Sequence, residues 1–563
     1  MPGITGFIAE TKNPESILFK MQDSITHKDF YVKDKCFYSG TFACTRSHIN
    51  TIQKEKQPFQ SNGVCIWLDG EFYNQQEIIK KTDTSRNDLA ILYKLYKNTA
   101  DFSFLRAIDG IFSAVILDKI KRKVYLITDR YGLKHLYWSK MNGRLAWASE
   151  VKAFLYLPWI NPTVNIKSVN DFFSIGYILG DRTWLKDVYL IPSGTIITYD
   201  LDQIRIEKSR YWWWSDIKLI TGKINANEIA DEIGHRLVSA VKKRCRTNEK
   251  VGLNLSGGLD SRAILAAMPE REDSIHAITF GKKGCEDIRI AAMAANLKGA
   301  RHHIFEIDDK NWIAERFPAV WWSDGQLNLM HMHGVKSILF SKKFFDININ
   351  GFLGDALLGG SYIGKNTLAT LYKFENRGRK FINLGPRLVN VFLDVRLPFF
   401  DNALMELTMS IPERYRKNSY IYNKALLKTF KNFYEKIPWE KTGYPISIHP
   451  YKVAFFLAIK KLHEKILLLK NKNPSAKFIS QQSYTMYNSW LRKGTAVKSL
   501  NNILFNKNAI YPEYISKEKV VSELTDHLNL KADYSDNLCR YLTFEIWLQR
   551  ALNLQNRHHN PKT

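Results

Sequence analysis

Residues 251 to 266 read VGLNLSGGLDSRAILA, a short apolar run that ends in a glycine pair and passes at once into helical spacing. Such a junction restricts the fold severely. The strand must stop where the glycines begin and the helix must turn back over the sheet, which calls for parallel strands joined by crossover helices. Without Cβ atoms, the glycines let backbone N–H groups converge on an anion, and the helix N-terminus adds positive potential. A phosphate chain suits that place. No lysine follows the glycines, so this is not the GxxxxGK[ST] loop. Asp260 offers instead a carboxylate of the kind that holds Mg²⁺ against pyrophosphate. The plain alternative is a tight strand-to-helix turn capped by Ser256 or Asp260.

The surrounding sequence repeats the alternation. A helix is expected at 225 to 244, and the strands VGLNLS, HAITFG, RHHIFEID and ININGF are separated by helical segments, among them EDIRIAAMAANLK. That order predicts a doubly wound parallel sheet. The first ~200 residues differ, with short alternating runs (VCIWLDGEFY, GIFSAVILD, KVYLITD, LAWAS) that predict antiparallel strands, plus a helix at 89 to 98. From about 365 onward the pattern is mostly helical. An α/β chain in three parts follows: 1–208, 220–445 and 446–563.

Length and composition agree, since 563 residues exceed one ordinary core. The net charge of +27 is spread along the chain and carries no RNA-recognition, zinc-finger or KH signature, so solvated surface is expected rather than a nucleic-acid partner. Six cysteines without metal-ligand spacing suit a reduced compartment. No membrane span and no signal peptide are evident, which leads to the expectation of a cytoplasmic protein.

SGGLDS resembles the pyrophosphate loop of the ATP-pyrophosphatase superfamily. The N-terminal half narrows the resemblance, because Arg46, Asp69-Gly70-Glu71-Phe72-Tyr73-Asn74, Asn87-Asp88, Asp109-Gly110 and Asp129-Arg130-x-Gly132 occur in the order of class II glutamine amidotransferase domains. Ala148-Ser149-Glu150, Thr279-Phe280-Gly281, Gly354-Asp355, Arg396-Leu397-Pro398 and Trp439-x-Lys441 follow. Over residues 1 to ~445 the chain is similar to the asparagine synthetase (glutamine-hydrolysing) family, a group that also holds lasso-peptide cyclases and β-lactam synthetases.

The resemblance implies an αββα sandwich of the N-terminal-nucleophile hydrolase kind, then an ATP-pyrophosphatase domain with a helical C-terminal region. It implies a ligase that uses ATP and Mg²⁺ to adenylate a small-molecule or peptide carboxylate. AMP and pyrophosphate are released, and an amide forms with ammonia or a substrate amine. By position, Ser256, Gly257, Gly258, Asp260 and Ser261 would hold pyrophosphate. Asp260 and Asp355 would be the metal carboxylates, and Lys441 would neutralise phosphate or oxyanion charge. Asn254, Leu255, Phe280, Gly281 and Gly351 belong to the ATP site, with Asp287 and Asp324 as weaker candidates. His302 and His303 point to opposite faces of a strand and are read as structural.

Three departures stand out. Pro2 occupies the position of the family's nucleophilic cysteine, and proline has no thiol with which to form a thioester. Asp69 replaces the asparagine that donates to the oxyanion. Pro2, Arg46, Asp69, Gly70, Glu71 and Asp88 therefore form a vestigial glutamine site, with Arg46 and Asp88 expected in fold-holding ion pairs and glutamine hydrolysis absent. Phe352 stands where asparagine synthetases carry glutamate and β-lactam-forming relatives carry tyrosine, and phenylalanine moves no proton.

Free ammonia, an amine on the substrate itself and ammonia from a separate glutaminase all remain open. So do a tRNA-modifying enzyme with the same loop and a non-catalytic scaffold. The basic, apolar stretch 452 to 470 suits helical core packing or contact with a partner or membrane surface. No motif reports the oligomeric state.

Overall fold

The computed structural model describes residues 1–78, 87–99, 101–270, 274–364, 367–470 and 483–559. Its first part has two antiparallel sheets face to face, one of seven strands and one of six. In the first sheet the strand Gly3–Ile8 pairs with both Phe42–His48 and Arg144–Ala148. The second is built around the pairing of Val64–Phe72 with Gly110–Asp118, in register from Val64 opposite Asp118 to Phe72 opposite Gly110.

Alternation sets the layers, because every second side chain enters the same face. Ile4, Phe42, Trp67, Val115, Leu126 and Trp147 fill the space between the sheets. The helix Pro14–Ile25 covers the first sheet, and Asp88–Asn98 covers the second. This is the expected αββα sandwich. The buried tryptophans each contribute on the order of 2–3 kcal/mol of apolar transfer energy.

After the strand Arg205–Arg210, the helix Ala226–Cys245 opens the second part. Five parallel strands follow in the order Arg301–Glu306, His276–Gly281, Val251–Asn254, Ile347–Ile349, Asp394–Arg396. In sequence terms that order is 3-2-1-4-5, so the winding reverses beside Val251–Asn254. A crevice opens at the carboxyl ends of the strands at such a reversal. SGGLDS leaves the first of these strands and Asn350-Gly351-Phe352 the fourth, so the topology brings both to one place.

The C-terminal helices are not an appendage. Trp184 of the N-terminal half meets Trp547 with ring centroids 5.5 Å apart, and Phe173 stacks on Tyr541 at 5.2 Å. The helix Ser535–His559 thus packs across the N-terminal part and the stretch 316–331 between the strands Arg301–Glu306 and Ile347–Ile349 in one continuous core. Among the described residues no helix is long and apolar enough to cross a membrane, and no cysteine is joined in a disulfide.

Candidate active site

A cavity of about 580 Å³ lies over the carboxyl ends of the parallel strands. Ser256, Gly258, Asp260 and Ser261 form one wall, and Gly351, Phe352 and Asp355 another. Asn254, Leu255, Phe280 and Lys441 complete that end. The structure therefore gathers most of the residues singled out in the sequence around one space. Gly257 and Gly281 lie just behind its lining. Gly257 packs on Glu440, and Gly281 on Cys285 and Tyr484.

The helix Leu259–Ala267 has Gly258 as its N-cap, and no side chain caps its first turn. Its leading N–H groups are therefore left for a ligand, and the helix dipole favours an anionic one. The loop before it is held internally: Gly257 N–H donates to Asp287 Oδ1 at 3.0 Å and Gly258 N–H to Ser256 Oγ at 3.2 Å. Asp287 thus holds the loop in shape. Asn254 Oδ1 and Glu440 Oε2, both from residues of the cavity wall, are buried without a hydrogen-bond partner. Leaving such atoms unpaired costs about 1–3 kcal/mol each, which a polar ligand would offset.

Asp260 and Asp355 are coupled. Asp260 Oδ2 accepts from the Asp355 N–H at 2.7 Å, and Oδ1 accepts from the Tyr422 hydroxyl at 2.8 Å. Burial pushes the Asp260 carboxyl up to about 7, against the two hydrogen bonds that favour its charge. A buried carboxylate in that state is one a cation stabilises. Two carboxylates beside a phosphate-sized loop fit Mg²⁺, which takes one or two protein oxygens and completes its shell with phosphate and water. Gly354 keeps the pair close, since a Cβ there would lie 2.6 Å from Asp260 Cγ.

A further part of the cavity wall is apolar apart from two imidazoles. Leu327, Met332, Phe381, Leu388 and Val389 line it, with His331 and His333 between them. Phe352 closes one side and stacks on Phe400 at 5.4 Å. The His-Met-His spacing at 331 to 333 was the available sequence signal for this wall, and sequence reasoning weighed only His302 and His303. Those two are elsewhere: His302 bonds Thr279, and His303 stacks on His276 and Phe344. Asp324 is also elsewhere. It pairs with Lys152 at 2.9 Å and accepts from the Val151 N–H, so it belongs to the join with the N-terminal half and not to a nucleotide site.

Pro2, Asp69, Gly70 and Glu71 meet around a second space of only about 40 Å³. That holds a few water molecules at most. Asp69 is paired with Lys134 at 3.0 Å, and Arg46 with Asp34 at 2.7 Å. Asp88, expected in an ion pair, has none among the described residues: it accepts from Phe72 N–H at 3.1 Å and Gln75 Nε2 at 2.6 Å. Burial pushes its carboxyl up to about 7, so neutral donors suffice.

Residues 1–212 match the family model of a glutamine amidotransferase domain, and residues 232–381 match that of asparagine synthase. Over these two segments the chain is similar to the asparagine synthetase family. Its relatives include a Methanocaldococcus jannaschii protein named provisionally as glutamine-hydrolysing asparagine synthetase 2, 29% identical over 53% of this chain and 59% of that one. The Bacillus subtilis asparagine synthetase 2 is 26% identical over 50% of this chain and 40% of its own length. The chain thus spans about half the length of these first curated relatives. The B. subtilis asparagine synthetase 1 aligns over 99% of this chain and 97% of its own, at 23% identity. A solved structure of the allosteric regulatory enzyme of purine biosynthesis matches at 13% identity, covering 54% of this chain and 80% of that one, with a TM-score of 0.29. At that score nothing about the fold follows from it.

Proposed function

We propose that this chain is a member of the asparagine synthetase family, an ATP-dependent ligase that adenylates a carboxylate and joins it to ammonia or an amine, without a glutaminase of its own. One observation carries the reading. The glycine loop, the Asp260–Asp355 pair and an apolar, imidazole-bearing recess share a single cavity of about 580 Å³, room for a nucleotide at one end and the acid to be activated at the other.

In the first step a carboxylate oxygen attacks the α-phosphorus of ATP; an O–P bond forms, the bond to the β-phosphate oxygen breaks, and pyrophosphate leaves. The uncapped first turn of Leu259–Ala267 would face the departing charge, with Lys441 lining the same end of the cavity. Asp260 and Asp355 would hold Mg²⁺, which supplies charge neutralisation to the phosphates. In the second step the amine nitrogen attacks the activated carbonyl carbon, and AMP leaves with the electron pair of the broken C–O bond.

The absence of glutaminase activity is supported by three features. Pro2 offers no thiol, the space beside it is about 40 Å³, and Glu71 is engaged by Arg396. ATP–[³²P]pyrophosphate exchange with a panel of amino, aliphatic and peptide carboxylates tests the reading. Exchange that depends on one of these acids is expected; exchange that requires tRNA, or none with any acid, overturns it.

A further inference from the structure

Phe352 leaves the second step without its proton acceptor, and the cavity holds a replacement on its other wall. His331 ends the short turn Leu329–His331, and its Nε2 lies 3.5 Å from Asp536 Oδ1. Asp536 comes from the first turn of the C-terminal helix Ser535–His559. It is itself fixed: Asn328 Nδ2 donates to Oδ1 at 2.7 Å, and Arg540 pairs with Oδ2. An imidazole facing a cavity, with an anchored carboxylate behind it, is the arrangement of an oriented base.

His333, two residues on, is a poor candidate for that task. Its Nδ1 lies 3.0 Å from the Tyr487 hydroxyl, which accepts from Arg316 Nη2 at 2.6 Å. Burial first, and then the Arg316 charge, hold its pKa well below the usual imidazole value. It stays neutral and is already engaged. His331 by contrast is partly open to the cavity, with its side chain 36% exposed. Among the described residues, His331 meets Asp536, with Arg540 behind it, and His333 at 5.7 Å between ring centroids, backed by Arg316; Phe381 lies edge-on at 5.2 Å.

We propose that His331, oriented by Asp536, accepts the proton released when the amine attacks the acyl adenylate. The assignment rests on the ligase reading above. The nitrogen lone pair forms the N–C bond and the carbonyl π pair moves to oxygen. The ammonium proton passes to the imidazole lone pair of His331, the carbonyl re-forms, and AMP leaves with the C–O pair. The imidazolium then gives its proton to solvent. His331 is the catalytic residue and Asp536 a positioning residue, which gives the C-terminal helix a place in the chemistry.

The experiment measures two half-reactions on the full chain from pH 6 to 9: pyrophosphate exchange with the acid that stimulates it, and amide formation from ammonium chloride, or cyclisation where that acid carries its own amine. His331→Gln is expected to keep exchange within about threefold and to lose amide formation by about 10²–10⁴-fold. Added imidazole should restore amide formation to His331→Gly. Asp536→Asn should slow amide formation about tenfold with exchange unchanged, and Asp536→Glu, which keeps a carboxylate for the imidazole, should recover part of that loss. Wild-type amide formation in His331→Gln, or equal loss of both half-reactions, overturns the assignment. A wild-type protein that shows no exchange, or exchange without any amide, removes the ligase reading instead.

Discussion

Arg396 clasps Glu71 with two nearly parallel hydrogen bonds, Nη2 to Oε1 at 2.6 Å and Nε to Oε2 at 2.8 Å. Glu71 lies on a strand of the N-terminal sandwich, and Arg396 ends the last strand of the parallel sheet. The pair therefore ties the two parts together through a residue that lines the small space beside Pro2. Removing one partner leaves the other charge buried and unpaired, which costs about 3–5 kcal/mol. Arg396→Met should lower the urea midpoint accordingly, and Glu71→Gln by less, since the amide oxygen still accepts. An unchanged midpoint in Arg396→Met would show that the clasp carries no net stability.

A thiol placed at position 2 should not by itself produce glutaminase activity. In Pro2→Cys the space beside residue 2 remains about 40 Å³ and Asp69 remains paired with Lys134. Glutamate release from glutamine is expected to stay at background, and release at ordinary enzyme rates would contradict this.

Asp260→Asn should abolish pyrophosphate exchange while leaving the fold intact. The substitution keeps an acceptor for the Asp355 N–H but removes the charge that, on the proposed reading, holds Mg²⁺ against the phosphates. Exchange is expected to fall by at least about 10²-fold, with the thermal midpoint unchanged or raised, because burial already disfavours the ionised carboxyl. Exchange close to wild type would remove Asp260 from the metal and phosphate assignment.

Acid should destabilise the join between the sandwich and the segment that follows it through His135. Its Nε2 lies 3.1 Å from the Arg379 carbonyl and its Nδ1 3.2 Å from the Tyr137 hydroxyl. Burial, then Arg387 and Arg379, hold its pKa well below the ordinary 6.5. The folded state therefore binds fewer protons than the unfolded one below about pH 6.5, so this contribution is complete above that pH and is lost as pH falls. The slope from one such group is at most about 1.4 kcal/mol per pH unit. His135→Gln should flatten the decline of urea stability between pH 7 and 5; an identical decline in the variant would place the sensitivity elsewhere.

Gly70 has φ of +125°, and a Cβ there would lie 2.0 Å from the Ile111 carbonyl oxygen. Gly70→Ala should cost about 1–3 kcal/mol from backbone strain alone, with further loss from the clash. A midpoint equal to wild type in denaturant would show that the strand pair can shift apart.

Much of this protein was legible in local sequence. The glycine pair after VGLNL could only end a buried strand, and period-2 runs against helical runs separated an antiparallel sandwich from a wound parallel sheet, because those periodicities reflect which side of an element meets the core. Single positions such as Pro2 and Phe352 spoke through their chemistry, as residues that carry no thiol and no transferable proton. What the tertiary structure decided was every partnership between distant segments. Asp88 found neutral donors where an ion pair was expected, Asp324 turned to Lys152 and away from the nucleotide end, and Glu71 was taken by an arginine 325 positions later. His331 and Asp536 stand 205 positions apart (536 − 331) and were brought to 3.5 Å by the C-terminal helix. Nothing in either neighbourhood encodes that distance, since it follows from the packing of Trp547 and Tyr541 against the sandwich, a contact no local pattern contains.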